Sequence, residues 1–144
     1  EERYAQLANR LGNLVSRVAA MSVKYFDGRL DEIQMDWIAR EKKLEEAMTG
    51  YDFKAYLDEV FEVVDEANEE VDKKEPFKLV KQDEAAAKRV LSTIAAQIRW
   101  IGRALAPILP QTSEEILRRY DKVIKVGESL FPRRDSSVSS PPTP

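Results

Sequence analysis

The chain contains no cysteine and no histidine among its 144 residues. The first absence removes disulfide frameworks and thiolate metal sites. The second removes the commonest general base, the commonest metal ligand and the Ser-His and Cys-His dyads. Catalysis and metal binding are therefore not expected of these residues. Glycine is scarce, at five, while hydrophobic residues make up 43% and charged residues 34%. That balance favours a helical soluble protein, and the length suits one domain. No signal-peptide pattern opens the chain and no apolar run is long enough to span a bilayer, so a cytoplasmic protein without membrane partners is expected. A net charge of −3 argues against indiscriminate nucleic-acid binding and confines any such contact to a patch.

One local absence organises the rest. Between Arg3 and Phe26 there is no Asp or Glu. At about 100° per residue the segment reads as one amphipathic helix. Tyr4, Leu7, Leu11, Leu14, Val18, Ser22 and Tyr25 form one stripe. Arg3, Arg10, Arg17 and Lys24 form another, because steps of seven drift only about 20° around a helix. Asn9 and Asn13 lie beside the positive stripe. A merely solvated face usually mixes both signs. One-signed faces of Arg and Asn suit anionic, hydrogen-bonding partners, of which RNA is the commonest. Taken alone, Asn13 reads as a solvated residue and Arg17 as half of a salt bridge. Asn9 is expected to bond a neighbouring helix.

Asp27-Gly28-Arg29 breaks this helix, with Gly28 suited to a left-handed cap. Asp31 is expected to cap a second helix bearing Ile33, Trp37 and Leu44, ending near Gly50. Asp52 caps a third, whose outer face carries Asp58, Glu59, Glu62, Asp65, Glu66, Glu69, Glu70 and Asp72. Pro76 closes it and could open a single extra turn. Asp83 caps a long fourth helix with Ala87, Leu91, Ile94, Ile98, Ile101 and Leu105 inward. No acid occurs between Glu84 and Glu114, while Lys88, Arg89, Arg99 and Arg103 are present. Trp100 falls opposite that apolar stripe and is expected under the C-terminal segment or against another domain. After Pro107 and Pro110, Thr112-Ser113-Glu114-Glu115 has the form of a capping box opening a fifth helix. The fold expected is all-α, an antiparallel bundle of about five helices over residues 1–134. A Ser/Pro-rich tail, 135–144, cannot build a core and is expected to be disordered. The segregation of charge suggests one positive and one negative side.

The pieces LANRLGNLVSRV, YFDG, ANEEVDKKEPFKLVKQD, LAPILPQTSEEI and SLFPR occur in an order and spacing that resemble the C-terminal, anticodon-binding helical domain of methionyl-tRNA synthetases, class I aminoacyl-tRNA synthetases. The resemblance runs from Tyr4 to Arg133. It implies that Asn13 and Arg17 occupy the family's anticodon-reading positions, four residues apart on one face. It also implies a base-stacking tryptophan directly after the proline, where this chain has Phe77. Phenylalanine keeps a π-face but offers a smaller platform and no indole N–H. A ring there also serves as a core plug beside Leu79 and Val80.

The implied partner is the anticodon stem-loop of methionine tRNA, with Arg10, Lys24, Lys78 and Lys81 steering its backbone. The other implied partner is the family's catalytic nucleotide-binding domain. ATP, and zinc where the family has it, belong to that domain and not to this chain. Without histidine the chain cannot carry the HIGH-type signature, and no KMSKS-like run appears. Alone it is not expected to activate methionine. Two other readings stay open: a helical protein-interaction scaffold, and the equivalent domain of a valine- or isoleucine-type synthetase.

Overall fold

The computed structural model describes residues 2–127, with side chains from residue 5 onward. The expected boundary at 134, the Leu130-Phe131-Pro132 connector, the 135–144 tail and the side chains of Arg3 and Tyr4 lie outside the described residues. Six helices make up the architecture: α1 Glu2–Phe26, α2 Ile38–Thr49, α3 Phe53–Lys74, α4 Pro76–Gln82, α5 Glu84–Ala104 and α6 Pro110–Arg119. No strand forms among the described residues beyond a single Tyr120–Ile124 bridge. None of these helices is long and apolar enough to cross a membrane.

The stripe found by periodicity in α1 is the buried one. Leu7, Leu11, Leu14, Val18 and Ser22 are buried, together with Val15 and Ala19. They meet Val60, Val64, Ala67 and Val71 of α3 and Leu91, Ile94, Ile98 and Ile101 of α5 in one core. Ser22 enters it without penalty because its hydroxyl donates to the Val18 carbonyl at 2.7 Å. Asp52 and Asp83 cap as expected, accepting from the backbone N–H groups of Ala55 and Ala86 at 3.0 and 3.1 Å. Gly28 takes φ +76°, and an added Cβ would lie 2.4 Å from the Ile124 carbonyl oxygen, so no larger residue fits.

The directions of the helices follow from their contacts. Arg10 pairs with Asp65 and Arg17 with Asp72, the same offset of 55 each time, so α1 and α3 run parallel. The pairs α2–α3, α3–α5 and α5–α6 are antiparallel. Arg40 near the start of α2 binds Glu59, Glu62 and Glu66 along α3 at 2.6–2.9 Å. The Tyr56 hydroxyl near the start of α3 donates to the Ala104 carbonyl at the end of α5, at 2.6 Å. Arg99 of α5 donates to the Tyr120 carbonyl beyond α6.

Three sequence expectations change. The second helix begins at Ile38, not after Asp31, and the 29–37 segment is irregular. Tertiary contacts use up the groups a cap would need: the Asp31 N–H donates to Ser92 Oγ at 2.9 Å and its carboxylate faces Lys88 at 3.8 Å. The Thr112–Glu115 box does not cap the last helix. Pro110 takes the first helical position, where its missing N–H costs nothing, which places Thr112 inside the first turn. The single turn expected after Pro76 extends to seven residues and makes a sixth helix.

Candidate nucleic-acid interface

Of the residues expected to read bases, Arg17 reaches from α1 to the last turn of α3 and Phe77 opens α4, so these two flank the junction of α1, α3 and α4, with Asn13 one turn earlier on α1. Asn13 is exposed on α1, one turn before Arg17. The Arg17 guanidinium donates to the Asp72 carboxylate at 3.0 Å, with the arginine side chain 34% and the aspartate 68% exposed. Asp72 lies in the last turn of α3, and Phe77 follows five residues on.

The turn between them is tight. Val71 and Pro76 are buried on either side of Glu75, which adopts a left-handed φ of +44°. Pro76 bars the residue before it from continuing the right-handed helix, and Glu75 takes the left-handed conformation that ends α3. The chain therefore reverses at once into α4, which packs on α5 and touches α1. Pro76, not Phe77, plugs the core. Phe77 stands 42% exposed, with Lys78 Nζ 5.9 Å from its ring centroid. Its neighbours Leu79 and Val80 are half-buried.

The four backbone-steering candidates divide by electrostatics. Arg10 is held by Asp65 at 2.8 Å and Lys78 approaches Glu75 at 3.6 Å. Lys24 lies 5.3 Å from the Tyr25 ring centroid, and it and Lys81 are exposed with no acidic partner among the described residues.

The positive side and negative side expected from charge segregation do not form as such. The basic stripe of α1 faces the acids of α3, and Arg10 and Arg17 are each paired across that seam. The carboxylates that do this, Asp65 and Asp72, stand in the sequence reading only as part of the outer acidic face, while the salt bridge expected of Arg17 taken alone is present. A signal for the pairing existed, because Asp58, Asp65 and Asp72 recur at the same step of seven as Arg10, Arg17 and Lys24. It would have required knowing that the helices run parallel.

Two further corrections concern polar and aromatic neighbours. Asn9 is exposed and has no side-chain hydrogen bond to a neighbouring helix among the described residues. The amide across the seam belongs to Asn68, whose Nδ2 donates to the Arg10 carbonyl at 3.3 Å. Trp100 is 1% exposed and stacks on Trp37, ring centroids 4.7 Å apart, with its indole N–H toward Glu41 at 3.3 Å. It is thus covered by the 29–37 segment and α2.

Chemically, the junction offers an amide with both donor and acceptor, a planar fork and a half-bare ring. A guanidinium already oriented by a carboxylate loses little on exchanging that partner, because exposed pairs contribute only about 0–1 kcal/mol.

No protein-family model matches the chain. Curated relatives do. The chain is 33% identical over 138 residues to a methionine–tRNA ligase of Clostridium acetobutylicum, covering 88% of the chain and 21% of that protein. It is 35% identical to the methionine–tRNA ligase of Streptomyces coelicolor, over 79% of the chain and 24% of the relative. The ligase of Thermosynechococcus vestitus is 33% identical, over 89% of the chain and 26% of the relative. The chain spans about a quarter of the length of these relatives. By sequence, then, this all-helical chain belongs to the methionyl-tRNA synthetase family, as the homologue of one segment of those enzymes.

Proposed function

We propose that the chain is the anticodon-recognition module of a methionine–tRNA ligase. It binds the CAU anticodon of methionine tRNA, and chemistry is left to the nucleotide-binding part of the enzyme, where ATP and any zinc belong. What supports this reading is that Arg17, half-buried, reaches the last turn of α3 just before exposed Phe77, with exposed Asn13 one turn earlier on α1, in a chain homologous to part of such ligases. Unstacked anticodon bases are read by hydrogen bonds to their edges and by stacking on aromatic rings. Asn13 supplies a donor and an acceptor, Arg17 a fork that exchanges Asp72 for a base edge or phosphate, and Phe77 the platform. Lys24, Lys78, Lys81 and Arg10 steer the phosphate backbone. The module thus serves translation in the cytoplasm by selecting and positioning tRNA.

The test is a binding titration with anticodon stem-loops carrying CAU and single-base changes. Arg17→Ala is expected to reduce discrimination between matched and mismatched anticodons, whereas Lys78→Ala weakens all of them alike. Equal losses on matched and mismatched loops in the Arg17 variant would reject its base-reading role. Preference for a valine or isoleucine anticodon would move the module to another synthetase. Absence of binding to every loop would leave a protein-interaction scaffold.

A further inference from the structure

We infer that the end of the bundle bounded by Lys24, Arg29, Lys81 and Arg89 is a phosphate-binding surface. On it Arg29 and Arg89, which no motif singled out, grip the RNA backbone beyond the bases read at the α1–α3–α4 junction. The inference rests on the RNA reading above and extends its footprint.

It begins where the ion-pair ladder stops. Arg10 and Arg17 each find an aspartate at an offset of 55 residues on α3. The same offset carried on to Lys24 falls on Leu79 of α4, so the third rung has no carboxylate. Arg10 and Arg17 of the seam are thus paired, while Lys24 past its end has no acidic partner among the described residues.

Several contacts bring the free cations to one place. Arg29 follows the Gly28 cap, its N–H bonded to the Phe26 carbonyl at 2.9 Å and its side chain exposed. The first turns of α5 lie beside it: Lys88 Nζ sits 5.9 Å from the Phe26 ring centroid, and Ser92 holds the Asp31 N–H. Arg89 is exposed next to Lys88. Lys81 ends α4, which leads through Asp83 directly into α5.

Acids also lie at this end, but most are engaged. Asp31 faces Lys88, Asp83 caps α5, and Glu75 faces Lys78. The Asp83 carboxylate keeps its charge while it caps α5, so Asp27, Asp83 and Glu84 stand against four cations without an acidic partner among the described residues. Exposed cations around one rim suit a polyphosphate backbone, which is recognised by charge more than by geometry.

The experiment is fluorescence-anisotropy binding of the full chain to a methionine-tRNA anticodon stem-loop, at salt from about 50 to 200 mM. Arg29→Gln, Arg89→Gln and the double variant are compared with wild type and with Lys43→Gln on α2 as a remote control. Each phosphate contact removed flattens the log-affinity against log-salt slope by about 0.7–0.9. Each single variant is therefore expected to lose that amount and the double variant about twice it, with the ratio of matched to mismatched affinities unchanged. Slopes equal to wild type in both single variants overturn the inference while leaving anticodon reading intact. A loss of discrimination in either variant overturns it too, by making that arginine a base reader. A wild-type chain that binds no stem-loop overturns both.

Discussion

Phe77 shows how a single residue sets the strength of a contact without deciding whether it exists. Its ring is 42% exposed because Pro76 takes the buried position at the α3–α4 turn. Base–aromatic stacking is worth roughly 1–3 kcal/mol per base. Phe77→Ala is accordingly expected to weaken stem-loop affinity about fivefold to a hundredfold. Phe77→Trp enlarges the platform at an exposed site and is expected to tighten binding by a few-fold with an unchanged melting temperature. Titration of the two variants against one stem-loop reads both outcomes.

Asp72 belongs to the same scale. Its carboxylate occupies the Arg17 fork at 3.0 Å, and both groups are exposed enough for water to screen them. Asp72→Asn is expected to change stability by less than about 1 kcal/mol. Freed of its counter-charge, Arg17 should bind every RNA more tightly by a similar factor, matched or mismatched, and so leave the ratio between them unchanged. Parallel denaturation and competition titrations check the pair of effects.

At the scale of elements, α5 and α6 approach closely because Gly102 has no side chain. A Cβ there would lie 2.9 Å from Ile116 Cγ2 and 3.0 Å from Leu117 Cδ2, and Ile116 is fully buried. Gly102→Ala gains helix propensity but overpacks this contact, an effect of about 1–3 kcal/mol. The net expectation is a melting temperature lower by several degrees.

Within α6, hydrogen bonds from Arg118 and then Arg119 hold the Glu115 carboxyl below its usual 4.5. A carboxylate depressed in the folded state stabilises the fold above the unfolded pKa, and that contribution is lost as pH falls through the folded value. Glu115→Gln should therefore be less stable than wild type at neutral pH. The gap should close progressively below about pH 4.5 in thermal melts.

Across the whole molecule, what decides the site is the parallel placement of α1 against α3. The stripes, the caps at Asp52 and Asp83, the cap at Gly28 and the break at Pro76 were legible in sequence, because each depends on neighbours within a turn or two. Asn13, Arg17 and Phe77 as site residues came instead from the resemblance to the synthetases, since local pattern alone reads the first as solvated and the second as half of a salt bridge. Misreadings fell where distant residues compete for a local group. Ser92 and Lys88 take Asp31 away from capping, and Trp37 stacks on Trp100 instead of extending α2. Sequence alone determined an all-helical chain with a one-signed first helix and a proline-anchored aromatic turn, since helical periodicity and proline sterics act within a few residues. Only the tertiary structure decided that Arg10 and Arg17 of that helix are answered by Asp65 and Asp72, while Lys24 and Lys81 have no acidic partner among the described residues. Coulomb pairing between helices depends on their direction and register, and these are settled by burying Leu11, Leu14, Val18, Val64, Ala67 and Val71 together rather than by any local preference.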